Sequence, residues 1–125
     1  MVSENIKVLI SDDSVLARKQ LKDILKQYGC SCFLEASNGQ EAIDLYKEHR
    51  PELVFLDIVM PVKDGVSAIK EIIAFDSSAD IIIVSSVGTQ AHLKAAILEG
   101  AKDFVQKPLQ TSQIHNIIAT RFGGK

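Results

Sequence analysis

The stretch Leu53-Val54-Phe55-Leu56-Asp57-Ile58-Val59-Met60-Pro61 decides the fold class. Four apolar residues run without a polar break, stop at a carboxylate and are soon followed by proline. A strand with one wet face alternates apolar and polar residues, whereas a strand covered on both faces is apolar throughout. Ile81-Ile82-Ile83-Val84 repeats the pattern and ends in Ser85-Ser86. Working outward, β-branched apolar runs at 6–10, 31–36, 53–57, 80–85 and 103–106 begin roughly 22 to 27 residues apart, room for one crossover helix each.

The intervening segments carry a helical period. Ala17, Leu21, Ile24, Leu25 and Tyr28 share one face, and Gly29 follows as a stop. A second helix spans 39–48, with Asn38 and Glu41 spaced as a capping box and Pro51 beyond its end. A third uses Val66, Ile69 and Ile73; a fourth Leu93, Ala96 and Ile97, stopping at Gly100; a fifth Ile114, Ile117 and Ile118. Strict alternation of strand and helix predicts an α/β domain: a five-stranded parallel sheet with helices on both faces. The reading takes residues 1–125 as one domain.

Composition narrows the function classes. The chain has 125 residues, 46% of them hydrophobic and 24% charged, ordinary values for one folded domain. Fourteen basic against 16 acidic residues give a net charge of −2, without the basic face that nucleic acid requires. The longest apolar runs are far too short to span a bilayer. The polar start at Met1 to Asn5 lacks the basic and apolar pattern of a secretory signal, so a cytoplasmic protein without membrane attachment is expected. Cys30 and Cys32 read as small packed residues rather than metal ligands, because His49, His92 and His115 show no zinc-ligand spacing.

In open parallel sheets, ligands bind beyond the carboxyl ends of the strands. There the sequence places Asp12 and Asp13 after the first run, Asp57 at the end of the third, Ser85 at the end of the fourth and Lys107 after the fifth. The second run ends in Glu35-Ala36-Ser37, without a comparable polar cluster. Each residue alone has a plain structural reading: Asp12-Asp13-Ser14 as a helix cap, Asp57 as a turn former, Ser85 as a small strand end, Lys107 as a solvated charge. Their convergence on one edge points to chemistry. Three neighbouring carboxylates repel one another, and a divalent cation resolves that repulsion; hard oxygen donors favour Mg²⁺. A lysine and a hydroxyl beside it suit a phosphoryl group, with one aspartate as nucleophile.

Taken together, Ile10-Ser11-Asp12-Asp13-Ser14, Leu56-Asp57-Ile58-Val59-Met60-Pro61, Lys63-Asp64-Gly65, Val84-Ser85-Ser86 and the stretch from Gly100 to Pro108 resemble the receiver domain of two-component response regulators, in particular the single-domain chemotaxis type. The resemblance covers the whole chain. It implies a flavodoxin-like sheet in strand order 2-1-3-4-5. It implies Asp57 as phosphoacceptor from a histidine kinase, and Mg²⁺ held by Asp12, Asp13, Asp57 and the backbone carbonyl of Val59. It further implies Lys107 as phosphoryl partner, Ser85 as switch hydroxyl, Phe104 as switch aromatic, and a cis bond before Pro108. Signalling would then proceed by a population shift in a surface formed by the fourth helix, fifth strand and fifth helix, at 89–122. Ala91, Ala95 and Ala101 would keep part of it small for a partner helix, or serve only as helix formers and packing residues. The expected partners are the kinase, a downstream protein such as the flagellar motor switch, and a phosphatase, with no nucleic acid bound by this chain.

The sequence departs from that family pattern in three places. Ser11 stands where an apolar residue is usual, Phe104 lacks the common tyrosine hydroxyl, and Val59 offers no polar group to steer water toward Asp57, which implies a long-lived phosphorylated form unless a phosphatase intervenes. Val59 also argues against a haloacid-dehalogenase-type phosphatase, which needs a second acid at that position. The absence of a glycine-rich turn after the first strand argues against dinucleotide binding. Carboxylates at the rim argue against a flavin electron carrier. The remaining alternative is a receiver module of a larger regulator with a DNA-binding or methylesterase output domain; a chain ending just past the fifth helix favours the stand-alone form.

Overall fold

In the computed structural model, residues 6–86, 88 and 90–122 are described. Among them lie β1 (Lys7–Ser11), α1 (Val15–Lys26), β2 (Cys32–Ala36), α2 (Gly39–His49), β3 (Leu53–Asp57), α3 (Gly65–Phe75), β4 (Ile81–Ser85), α4 (Gln90–Glu99), β5 (Asp103–Gln106) and α5 (Thr111–Phe122). The strands form one parallel sheet in the order β2-β1-β3-β4-β5, as expected. Three strand starts shift by one residue from the sequence reading, and β1 runs on to include Ser11. Among the described residues no helix is long and apolar enough to cross a membrane.

The continuous apolar strands divide their side chains between two cores. Leu53 and Phe55 of β3 join Val8 and Ile10 of β1 beneath α1 and α5, where Leu21, Leu25, Ile114, Ile117 and Ile118 close the layer. Val54 and Leu56 turn the other way and join Leu9 beneath α2, α3 and α4. Each layer buries apolar surface at about 25 cal/mol per Å², the main force holding helices to the sheet.

Helix α3 meets the core differently from the reading. Gly65, Ala68, Ile69 and Ile72 are buried, whereas Val66 and Ile73 only border the core. Both stripes have helical spacing and share Ile69; the smaller residues let the helix approach the sheet. Gly65 shows how closely: an added Cβ would lie 2.5 Å from the Asp57 carbonyl oxygen. In α4, Ala96 is buried while Ile97 is exposed. Ala101 is buried in the core rather than on the outer face, while Ala91 is exposed. Of the 89–122 surface, Thr89 lies outside the described residues.

Capping fixes where the helices begin beside the carboxyl edge. Ser14 caps α1 by accepting from the Ala17 amide at 3.1 Å. Asn38 accepts from the Glu41 amide at 2.9 Å, but Glu41 reaches back to Ser37 rather than closing a box on Asn38. Asp64 caps α3 through the Ser67 amide. Cys30 is buried and Cys32 partly buried, both as free thiols.

Candidate metal and phosphoryl site

Asp12, Asp13 and Asp57 meet at the carboxyl edge, each offering a carboxylate oxygen, with these oxygens all within 4.8 Å of one another. Asp12 and Asp57 are buried and Asp13 is exposed. Lys107 reaches in from the end of β5, its Nζ donating to Asp12 Oδ2 at 2.9 Å and to Asp57 Oδ2 at 3.1 Å. One cation thus ties together two strands 95 and 50 residues distant in sequence.

Electrostatics follow from this packing. Burial pushes the Asp57 pKa above its ordinary value; the hydrogen bond from Lys107 opposes the shift and the Asp12 charge adds to it. Burial by itself would lower the Lys107 pKa, but its bonds to Asp12 and Asp57 outweigh that and raise it. The donor set is hard oxygen with excess negative charge, a fit for Mg²⁺.

Of the other predicted residues, Val59 touches the cluster, while Ser85 and Phe104 lie on the neighbouring strands β4 and β5. The Val59 amide donates to Asp57 Oδ1 at 3.2 Å, while its side chain is 57% exposed. Ser85 is fully buried and its hydroxyl donates to the Val105 carbonyl at a long 3.4 Å. Phe104 stands 46% exposed on β5, so its ring faces outward here. The Lys107-Pro108 bond is cis. Ser11 is buried at the end of β1, and its hydroxyl has no hydrogen-bond partner among the described residues, so it caps nothing.

Asp12 and Asp57 also keep their structural roles. Asp12 Oδ1 accepts from the Ser14 amide at 2.9 Å, which sets the turn into α1. Asp57 Oδ1, through Val59, starts the turn after β3. The capping and chemical readings therefore coexist, using different oxygens of Asp12.

Sequence reasoning passed over Glu35. It accepts from Arg18 Nε at 2.9 Å and from Lys22 Nζ at 2.8 Å, and Arg18 Nη1 donates to the Asp12 carbonyl at 2.5 Å. The available signal was Arg18 and Lys22 at i, i+4 on one helix, facing an acidic residue near the end of the neighbouring strand.

An open parallel sheet with an acidic cluster and a lysine at its carboxyl edge is the arrangement of a domain suited to a metal ion and a phosphoryl group. The response regulator receiver domain matches residues 8–119, and the chain belongs to that family. Over 108 residues it is 47% identical to the chemotaxis protein CheY of Thermotoga maritima and 45% identical to that of Bacillus subtilis, covering 86% of this chain and 90% of each relative. Its fold is similar to a chain in the crystal structure of the CheX-CheY-BeF3-Mg²⁺ complex from Borrelia burgdorferi, with TM-score 0.85 and 36% identity over 92% of this chain and 87% of that one. The receiver domain of Thermotoga maritima CheB is also similar, at 30% identity and TM-score 0.80 over 93% and 95% of the two chains. The protein is a response regulator activated by phosphorylation and closely matches the single-domain chemotaxis type.

Proposed function

We propose that in the cytoplasm Asp57 accepts a phosphoryl group from a phosphohistidine of a histidine kinase, and that the modified chain signals to a downstream protein in chemotaxis, such as the flagellar motor switch. The observation that carries this reading is Lys107 bridging Asp12 and Asp57 within the three-carboxylate cluster. A carboxylate oxygen of Asp57 attacks phosphorus; the new P–O bond forms as the P–N bond breaks, and the imidazole nitrogen leaves with the electron pair. Asp12, Asp13, Asp57 and the Val59 carbonyl would hold Mg²⁺, which when bound offsets the negative charge on the carboxylates and phosphoryl oxygens. Lys107 supplies a positive point charge to the transferred group.

Signalling then works through affinity for two states. Ser85 spends its hydroxyl on a long bond to Val105, a contact easily exchanged for a charged phosphoryl oxygen. Movement of Ser85 leaves space for the outward Phe104, and the α4-β5-α5 surface changes with it. The apolar Val59 beside Asp57 keeps the phosphorylated form long-lived until a dephosphorylating protein arrives. An open groove of about 420 Å³, lined by Ala17, Ile24, Lys107 and Pro108 among others, gives a phosphodonor protein a place beside the site.

Acetyl phosphate with Mg²⁺ tests the assignment. Wild type is expected to gain one phosphoryl group by mass spectrometry and Asp57→Asn none; full uptake by the variant would make the nucleophile another residue.

A further inference from the structure

Asp12 is held at every polar atom it possesses. Its amide donates to the Ala36 carbonyl at 3.0 Å, Oδ1 accepts from Ser14, Oδ2 accepts from Lys107, and the carbonyl accepts from Arg18 Nη1 at 2.5 Å. The last contact is the unusual one. At Asp12 the chain leaves the sheet, so this carbonyl has lost the strand partner that its predecessors had. Arg18 replaces that partner from the end of the first turn of α1, its side chain leaning back toward the helix start.

The Arg18 side chain is only 13% exposed, and its charge is answered by Glu35 of β2. One planar fork therefore joins the end of β1, the helix α1 and the strand β2. The Asp12 carbonyl and the Asp13 amide belong to the same rigid peptide plane. Clamping that plane restricts the backbone rotations on either side of it, and with them the directions in which both neighbouring carboxylates leave the chain.

We propose that Arg18 is a positioning residue for the metal pocket: by gripping the Asp12–Asp13 peptide plane, with Glu35 as its anchor, it aims the Asp12 and Asp13 carboxylates at one point. The inference rests on the reading that these carboxylates hold Mg²⁺. It makes a prediction opposite in sign to simple electrostatics. Removing a positive charge near an acidic cluster should tighten cation binding; losing the clamp should weaken it.

Titration of the unphosphorylated full chain with MgCl₂ by calorimetry reads this directly. Arg18→Met is expected to bind Mg²⁺ roughly 10-fold more weakly, a common cost of removing a group that orients a ligand. Arg18→Lys should behave similarly, since one ammonium on a flexible stem does not reproduce the fork. Lys22→Ala removes a partner of Glu35 that does not touch Asp12, and should bind as wild type. Circular dichroism establishes that each variant is folded. Unchanged or tighter Mg²⁺ binding in folded Arg18→Met or Arg18→Lys overturns the proposal, as does an equal loss in Lys22→Ala. Wild-type affinity in Asp12→Asn would overturn the metal-pocket reading itself, and so separates the two failures.

Discussion

The two ends of the sheet use the same kinds of residue to opposite effect. At the amino end, charges are matched. Arg121 of α5 donates to Asp80 at 2.6 Å and approaches Asp103 at 3.8 Å, and the Tyr46 hydroxyl donates to Asp76 at 2.8 Å. At the carboxyl end, three carboxylates cluster and one lysine answers two of them, Asp12 and Asp57. The amino end fastens helices to strands through these pairs, although Asp80 Oδ1 is buried without a hydrogen-bond partner among the described residues. The carboxyl end keeps an excess of negative charge in a partly buried place, which a metal ion and a phosphoryl group can use.

Substitutions at each end should break that contrast in different ways. The largest effect is expected from Gly65→Ala, where α3 starts beside Asp57. A methyl group at this first position of α3 gains less than the ~1 kcal/mol of an interior helix site, and meets the Asp57 and Ile58 backbone at 2.5 and 2.7 Å. Backbone cannot step aside as a flexible side chain can, so a net loss of about 3 kcal/mol is expected in urea unfolding, with reduced phosphate uptake. Net stabilisation would show that α3 can move without cost.

Lys107→Met should come next. It leaves Asp12 and Asp57 facing each other without a cation, and is expected to cost about 2 kcal/mol in EDTA, less than the full penalty for a buried pair because Lys107 is about one-third exposed. Mg²⁺ should recover most of this, so the Mg²⁺-dependent rise in Tm should be larger than in wild type. An equal rise would mean that the lysine does not counter the carboxylates.

At the amino end, Arg121→Met should cost about 1.5 kcal/mol, the value of a charge-assisted bond, and leave Mg²⁺ binding unchanged. A change in Mg²⁺ affinity would show that the two ends are coupled.

The smallest effect concerns pH. Lys22, with Arg18 assisting, holds the Glu35 pKa below its ordinary 4.5. A lowered carboxyl pKa stabilises the fold above the unfolded value, and that stability is lost as pH falls through the folded value. Glu35→Gln should therefore lie about 0.5 kcal/mol below wild type near neutral pH, a small figure suited to a partly exposed pair, with the gap closing below pH 4.5 in thermal melts. A gap that persists in acid would assign the loss to packing instead.

Much of this was legible in the chain. The unbroken runs at Leu53 and Ile81 signalled strands covered on both sides, and residues just past each run had to collect at one edge. Asp12, Asp13, Asp57, Ser85 and Lys107 could be named for that reason. The sequence reading put Ile73 on the buried face of α3 where the structure buries Ile72: both follow Ile69 at helical spacing, and the choice depends on how closely Gly65 and Ala68 let the helix approach. Glu35 was overlooked because its partners, Arg18 and Lys22, are charged residues on a helix, a pattern that usually means solvent.

By itself the sequence determined the α/β alternation, the two-faced burial of the strands and the set of acidic residues at their ends, because hydrophobic period and strand direction are local properties. The tertiary structure alone decided which atoms meet: the Lys107 ammonium between two carboxylates, the Arg18 fork on the Asp12 carbonyl, the outward Phe104 and the hydroxyl of Ser11 without a partner among the described residues. Those contacts join segments far apart in the chain. They depend on register, on helix approach and on side-chain reach, which exist only once the sheet has closed.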